Sequence, residues 1–423
     1  MQYILKWYKI YTQEKPNIEH KGKSKMMNEK KIVYADNAAT TPVSREVLEA
    51  MLPCFTNIWG NPSSQHSKGL EAKQLLDEAR ASVARSLSCS PKEIFFTSCG
   101  SESDNWAIRG ALKKAGGRKH IITTKIEHHA VLHTCASLER EGYRVTYLDV
   151  DSDGFVHPES LREMIDDDTA LVAVMMANNE IGTIQPIREL ADIAHEKGAL
   201  MFTDAVQAVG SIPVCPEELG VDMLAISGHK LHAPKGIGVL YIRRGVSIGN
   251  LIDGGGQERR RRGGTENVAY AVGLARALEI AVEKLPDMER VARLRDRLID
   301  GLLEIPASRL NGARTNRLPG NCNVGFECIE GESTLMLLDM AGICASTGSA
   351  CSSDSLEPSH VLLSIGVPHE KAHGSIRFSL SHDNTEDDVN YILQTLPPIV
   401  ERLRAMSPIW NQQEGCAVDL EKM

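Results

Sequence analysis

The chain reads as an α/β protein, with a mostly parallel seven-stranded sheet covered by helices on both faces and a smaller α+β domain beside it. Three observations predict this. Seven short runs rich in β-branched and aromatic residues alternate with segments whose apolar residues recur every three or four positions. The runs are nearly continuously apolar, as strands covered on both faces must be. With 42% apolar side chains, 423 residues also exceed the needs of one small core.

In chain order the runs are Ile94–Thr97, Lys119–Thr124, Arg144–Leu148, Ala170–Met176, Leu200–Thr203, Asp222–Ile226 and Gly238–Ile242. Between them, Leu70–Leu87, Asn105–Leu112, Val131–Glu141 and Ile187–Lys197 carry helical spacing. A long helical stretch follows from Tyr270 to about Glu304, broken near Pro286. Beyond it come a strand at Asn321–Phe326, a helix around Ser333–Met340, a Gly/Ser-rich loop, a strand at Ser375–Ser379 and a last helix from Asp387. The expected division is a large domain over residues 45–285 and a small one over 31–44 and 286–410. The small domain carries the loop 345–358, and residues 411–423 form a tail.

Composition removes several function classes. Lys and Arg number 47 against 56 Asp and Glu, a net charge of -9, which argues against a chain whose main task is to coat nucleic acid or an anionic membrane. No stretch approaches the roughly 20 apolar residues of a membrane span. Ten cysteines without a C-x-x-C pair fit a reducing, cytoplasmic setting rather than a disulfide framework or a zinc site. Residues 1–30 differ, with seven Lys, three Glu and interleaved aromatics. They read as a poorly ordered extension, or as sequence upstream of a start near Met26 or Met27, with a basic-aromatic RNA-contacting arm as the alternative.

In sheets of this kind ligands gather beyond the carboxyl ends of the strands, so the polar residues there matter most. Asp204 closes an apolar strand, where an isolated carboxylate costs several kcal/mol and needs a cationic partner. One βα unit later, Ser227, His229 and Lys230 close another. A strand-end Asp alone is more often a helix cap, and a Lys after Gly-His more often solvated. Together, an acid for a pyridinium nitrogen and an amine for an aldehyde are the two essentials of pyridoxal-phosphate chemistry. Thr97–Asn105 supplies a strand, a small-residue turn with Gly100 and Ser101, and a helix start, which suits a phosphate or equally a plain serine cap. His128 and His129 offer imidazole to stack or move protons, unless they are surface residues. Asn178 and Asn179 offer amide donors for a phenolic oxygen.

Ala35–Pro42, Gly60–Ser63, Thr97–Asn105, Glu127–His128, Asn178–Gly182, Asp204–Gln207, Ser227–Lys230 and Gly263–Thr265 together resemble the cysteine desulfurases of the NifS/IscS type. These are class V aminotransferase-family members among the fold-type I PLP-dependent transferases. The likeness runs from about Tyr34 to Pro408. It implies a homodimer that binds pyridoxal 5'-phosphate, with Lys230 as the Schiff-base lysine, Asp204 on the ring nitrogen, and Asn179 and Gln207 on the phenolic oxygen. It further implies His128 over the ring, Gly100, Ser101, Ser227 and His229 at the phosphate, and Thr265 reaching the phosphate of the neighbouring subunit. Ser101 stands where many relatives have Thr; the hydroxyl is kept.

Desulfuration also needs a mobile thiol. Cys351 lies in Ala345–Pro358, a run whose small flanking residues suit a swinging loop, and it matches the family's persulfide-forming position. The other cysteines read mostly as small buried hydrophobes. Arg377 matches the arginine that clamps the substrate carboxylate, a task that suits its planar fork, with Asn61 as a second contact. The resemblance thus implies conversion of L-cysteine to L-alanine, with sulfur held on Cys351 for an iron–sulfur scaffold protein or another acceptor. No intrinsic metal is expected, although Cys351 would suit as a ligand to a transferred cluster. Other class V activities and a mainly docking role are the competing readings. Arg259–Arg262 is read as cofactor-proximal or solvated rather than as a nucleic-acid patch.

Overall fold

The computed structural model describes residues 31–347, 358–411, 416 and 417. Residues 1–30 and the expected thiol position Cys351 lie outside them. The seven expected strands form one sheet: β1 (Ile94–Thr97), β2 (His120–Thr124), β3 (Arg144–Leu148), β4 (Thr169–Ala173), β5 (Leu200–Asp204), β6 (Met223–Ser227) and β7 (Gly238–Ile242). Their order is β1-β7-β6-β5-β4-β2-β3, with β7 antiparallel to both neighbours and every other pairing parallel. The end of β4 differs from expectation. Its regular pairing ends at Ala173, although Val174 and Met176 N–H still donate to the Phe202 and Asp204 carbonyls of β5, while the Met176 carbonyl turns to accept Gln185 N–H.

Period-two alternation sends the strand side chains to two cores. Ile122, Val172, Met201, Leu224 and Val239 pack against α1 (Ser67–Ser86), α4 (Ile187–Glu196) and α5 (Val268–Glu283). Ile121, Leu171, Phe202, Ala225 and Leu240 face α2 (Gly100–Lys113) and α3 (His129–Arg140). Helices therefore cover both faces. The long helical stretch is divided as Pro286 demands: α5 ends at Glu283, a 3-10 turn occupies Leu285–Asp287, and α6 runs Met288–Leu303. A three-stranded antiparallel sheet follows, ordered β10-β9-β8, from β8 (Ser308–Leu310), β9 (Asn321–Phe326) and β10 (Ser375–Ser379). Phe326 and Phe378 from this sheet share a separate core with Leu298 of α6, and with Leu338 of α7 (Gly331–Ala341) and Ile392 of α8 (Glu386–Met406).

Two links tie these parts to the site. Ala35 N–H bonds to Cys344, and Ser379 N–H returns to Ala35, so the segment after Tyr34 is laced to the small sheet. Elsewhere, Arg80 of α1 makes a two-pronged pair with Glu258 at 2.7 and 2.8 Å and donates to the Ile94 carbonyl. Glu258 in turn accepts from Phe96 N–H at 3.0 Å, which locks the 258–262 run onto β1. Both members of the pair are nearly buried, so removing one strands the other's charge. Arg80→Ala should therefore destabilise the chain by about 3–5 kcal/mol in urea unfolding.

Candidate active site

The carboxyl ends of β1, β5 and β6 converge on one cavity of about 220 Å³, and the sequence places polar residues at each. At the end of β1, Cys99 caps α2 by accepting Glu102 N–H through its sulfur at 3.4 Å, so the helix starts at Gly100, five residues before the expected Asn105. Gly100 is closely approached. A Cβ there would lie 3.0 Å from Val206 and 3.4 Å from Ser227. The start of α2 thus lies at the cavity wall with Ser101 and Ser227.

Asp204, last in β5, is buried and accepts Val206 N–H at 2.8 Å. Lys230 sits on the 3-10 turn Gly228–Lys230 that ends β6, and its Nζ donates to the carbonyls of Ala38 and Ala39 at 2.5 and 2.7 Å. Gln207 donates to the same Ala38 carbonyl at 3.0 Å. The Ala35–Pro42 segment therefore closes one wall of the cavity. Burial lifts Asp204 above the ordinary carboxylate range, against the opposing pull of Val206 N–H and the Lys230 charge. Two further buried acids adjoin it. Burial, with Asp204 as the next cause, raises Asp104 well above its usual value, and burial pushes Glu127 up to about 8.

His128 is the cap of α3. Its Nδ1 accepts Ala130 N–H at 3.1 Å, so the ring proton must sit on Nε2 when the imidazole is neutral. Burial, Lys230 and His133 lower its pKa and keep it neutral. His229 hydrogen-bonds Thr40 through Nδ1, and burial with the charge of Lys230 lowers it to about 4. Arg377, on β10, crosses over from the small sheet. It donates to the Asn179 carbonyl and to Asp36, both at 3.1 Å, while its buried Nε has no partner among the described residues.

Lys230, Asp204, His128, Gln207, Asn179, Gly100, Ser101, Ser227, His229 and Arg377 all line this one cavity. Asn61 and Thr265 do not. Both are exposed, and Asn61 Oδ1 accepts Ser63 N–H in a local turn. The amide pair divides: Asn178 is consumed by its own turn, accepting from Glu180 and Ile181 and donating to Ile126, whereas Asn179 faces the cavity. His360, Asp104 and Glu180 also line the wall and were not singled out from sequence. His360 donates to the Glu127 carbonyl at 3.0 Å and lies 4.7 Å from the His129 ring. It follows Cys351 by nine residues, and no local pattern marks a histidine at that distance as a wall residue.

Residues 33–392 match the family model for class-V aminotransferases. The chain belongs to this family. Over 383 residues it is 56% identical to the cysteine desulfurase IscS of Methanosarcina thermophila, covering 90% of this chain and 95% of that one. It is 54% identical over 388 residues to the cysteine desulfurase IscS of Clostridium botulinum, covering 90% and 97%. Among solved structures, a NifS-like protein matches with a TM-score of 0.83 at 44% identity, over 88% of this chain and all of that one. This class-V aminotransferase is of the cysteine desulfurase kind, and its cofactor is pyridoxal 5'-phosphate.

The cavity's donors fit that group. A ring nitrogen that takes up a proton suits the otherwise costly Asp204 carboxyl, an aldehyde suits an amine at Lys230, and a phosphate suits the start of α2. If three buried acids stand here, the cofactor-free protein should lose stability as pH rises. The unfolded chain releases these protons near pH 4, whereas the folded chain holds them higher, Glu127 to about 8. Urea unfolding of cofactor-free protein between pH 4 and 8 should show this decline, shallower by at least about 1 kcal/mol in Asp204→Asn.

Proposed function

We propose that this chain converts L-cysteine to L-alanine and keeps the sulfur as a persulfide on Cys351. The observation that carries the reading is the meeting of Lys230, Asp204 and Arg377 in one cavity, the last with an unpartnered buried Nε. When bound, pyridoxal 5'-phosphate supplies an electron sink for the bond-breaking at the substrate's carbons. The residues do the rest. Asp204 would hold the proton on the ring nitrogen, and His128, with its proton on Nε2, would be the imidazole facing the ring. Ser101, Ser227, His229 and the Gly100 backbone would hold the phosphate, while Asn179 and Gln207 would serve the phenolic oxygen.

Arg377 takes the substrate carboxylate through its planar fork, an orientation that leaves the Cα proton within reach of the Lys230 amine. Asp36 and the Asn179 carbonyl hold that fork in place. Lys230 accepts the proton from Cα and returns it at the end. The Cys351 thiolate attacks the substrate sulfur: an S–S bond forms, the Cβ–S bond breaks, and its electron pair stays with carbon, which is then protonated to give alanine. His128 is the nearby imidazole for that proton.

The active form we propose is a cytoplasmic homodimer. Phe55, Trp59 and Leu70 are 54%, 66% and 55% exposed, an apolar group that a second copy would cover, and Thr265 would serve the partner's phosphate. No helix among the described residues is long and apolar enough to cross a membrane. The separate core of the three-stranded sheet supports residues 31–44 and 286–410 as a distinct small domain bearing the 345–358 loop. Sulfur delivery to an iron–sulfur scaffold protein or another acceptor would use the surface at the end of α8, where Arg404 stacks on Trp410 at 4.0 Å.

Lys230→Ala and Cys351→Ser should each abolish cysteine-dependent alanine release, and only the Lys variant should also lose the cofactor's visible Schiff-base absorbance. Substantial turnover in either would overturn the assignment. Deleting Trp410–Met423 should spare alanine formation while cutting sulfur transfer to an acceptor protein, as measured by radiolabelled sulfur counted on each partner.

A further inference from the structure

Away from the cavity, His232, His382 and Asp383 bring two imidazole nitrogens and a carboxylate oxygen within 4.8 Å of one another. We propose that these three side chains form a binding site for a zinc-class divalent cation. Their chemistry decides the class, because two imidazoles with one carboxylate suit borderline transition metals and not calcium or magnesium.

The geometry is preorganised on both sides. The His232 backbone is held at φ +60 by bonds to the segment before it: its N–H donates to Thr41 Oγ1 at 2.8 Å, and its carbonyl accepts Ser44 N–H at 3.1 Å. Its Nδ1 faces the Pro42 carbonyl at 3.1 Å. A carbonyl only accepts, so Nδ1 carries the proton and the Nε2 lone pair is left for a metal, an orientation that ligating histidines generally share. Opposite, Arg290 fixes the His382 carbonyl at 2.7 Å, and Asn384 closes the turn by accepting Ser381 N–H at 2.8 Å. His382 Nε2 and Asp383 Oδ1 are 3.4 Å apart. That separation is the edge, about 3.4 Å, of a tetrahedron whose ligands lie 2.0–2.1 Å from zinc. The half-buried His232 ring lies 5.0 Å from that of His382, which completes the cluster.

Charge around the site is mixed. Lys284 acts on both histidines and Arg290 on His382, while Asp383 opposes them at both and Asp287 at His382. The position matters because His232 follows Lys230 by two residues and His382 follows Arg377 by five. An ion there would clamp the turn that carries Lys230 to the strand that carries Arg377.

The test titrates the full, cofactor-loaded chain, stripped of metal by chelation, with cobalt(II) as a spectroscopic stand-in. One equivalent should bind per chain, with visible d–d bands and no thiolate charge-transfer band, as nitrogen and oxygen ligands require. His232→Ala and His382→Ala should each weaken binding at least tenfold while keeping the cofactor's visible absorbance, which checks folding. Failure of the parent to bind cobalt below about 1 mM would overturn the site. So would unchanged affinity in both histidine variants, or a charge-transfer band that places the ion on cysteine. Because the readout is metal binding, loss of desulfurase activity would not produce these results.

Discussion

The structure depends on negative charge gathered where strands end. Asp104, Glu127 and Asp204 are all buried under the cavity, and Lys230 is the cation that acts on Asp204. Removing carboxylates from water costs several kcal/mol each unless protons, hydrogen bonds or a cation compensate. The protein uses all three. Glu127 accepts Met175 N–H at 3.0 Å and the Thr124 hydroxyl at 2.7 Å, Asp204 accepts Val206 N–H, and burial keeps protons on the acids to higher pH. A cation-bearing ring placed against Asp204 relieves the same strain, so folding leaves behind a site that gains from binding one.

That site is completed by the Ala35–Pro42 segment, which belongs in sequence to neither of the elements it joins. Asp36 reaches Arg377 of β10, Ala38 N–H bonds to Ser379 Oγ at 2.9 Å, and the Ala38 and Ala39 carbonyls receive Lys230. Thr41 then bonds to His229 and His232. One short segment, turned at residues 37–39, therefore touches both the amine and the guanidinium.

How much of this was legible in the sequence follows from which forces are local. Strand and helix positions were readable because apolar periodicity reports burial directly, and Asp204 and Lys230 stood out as charged residues ending apolar runs. The start of α2 was placed late, since its cap is the sulfur of Cys99, a weak acceptor that carries no ordinary capping signal. Asn178 and Asn179 could not be told apart, because only the turn geometry assigns one inward. His360, Asp104 and Asp383 act through neighbours far away in the chain. The Arg259–Arg262 run shows the same limit. Arg259 stacks on Phe95 at 4.0 Å and donates to the Ile94 carbonyl, while Arg262 grips Glu102 at 2.8 and 3.0 Å beside the start of α2. Three of its four cations, Arg261 over Phe95 included, are thereby drawn onto the protein itself, which leaves little basic surface for nucleic acid.

Backbone groups also decide what the histidines can do. His128 meets an N–H of its own helix start, so its Nδ1 must accept and its Nε2 must donate. His232 meets the Pro42 carbonyl, so its Nδ1 must donate and its Nε2 keeps a lone pair. Identical side chains become a proton donor in one place and an electron-pair donor in another, through the polarity of the main-chain group they face. Burial lowers both pKa values, so each stays neutral and the backbone's choice of tautomer is not erased by a second proton. A substitution that moved either main-chain group would therefore change the chemistry of the ring without touching it.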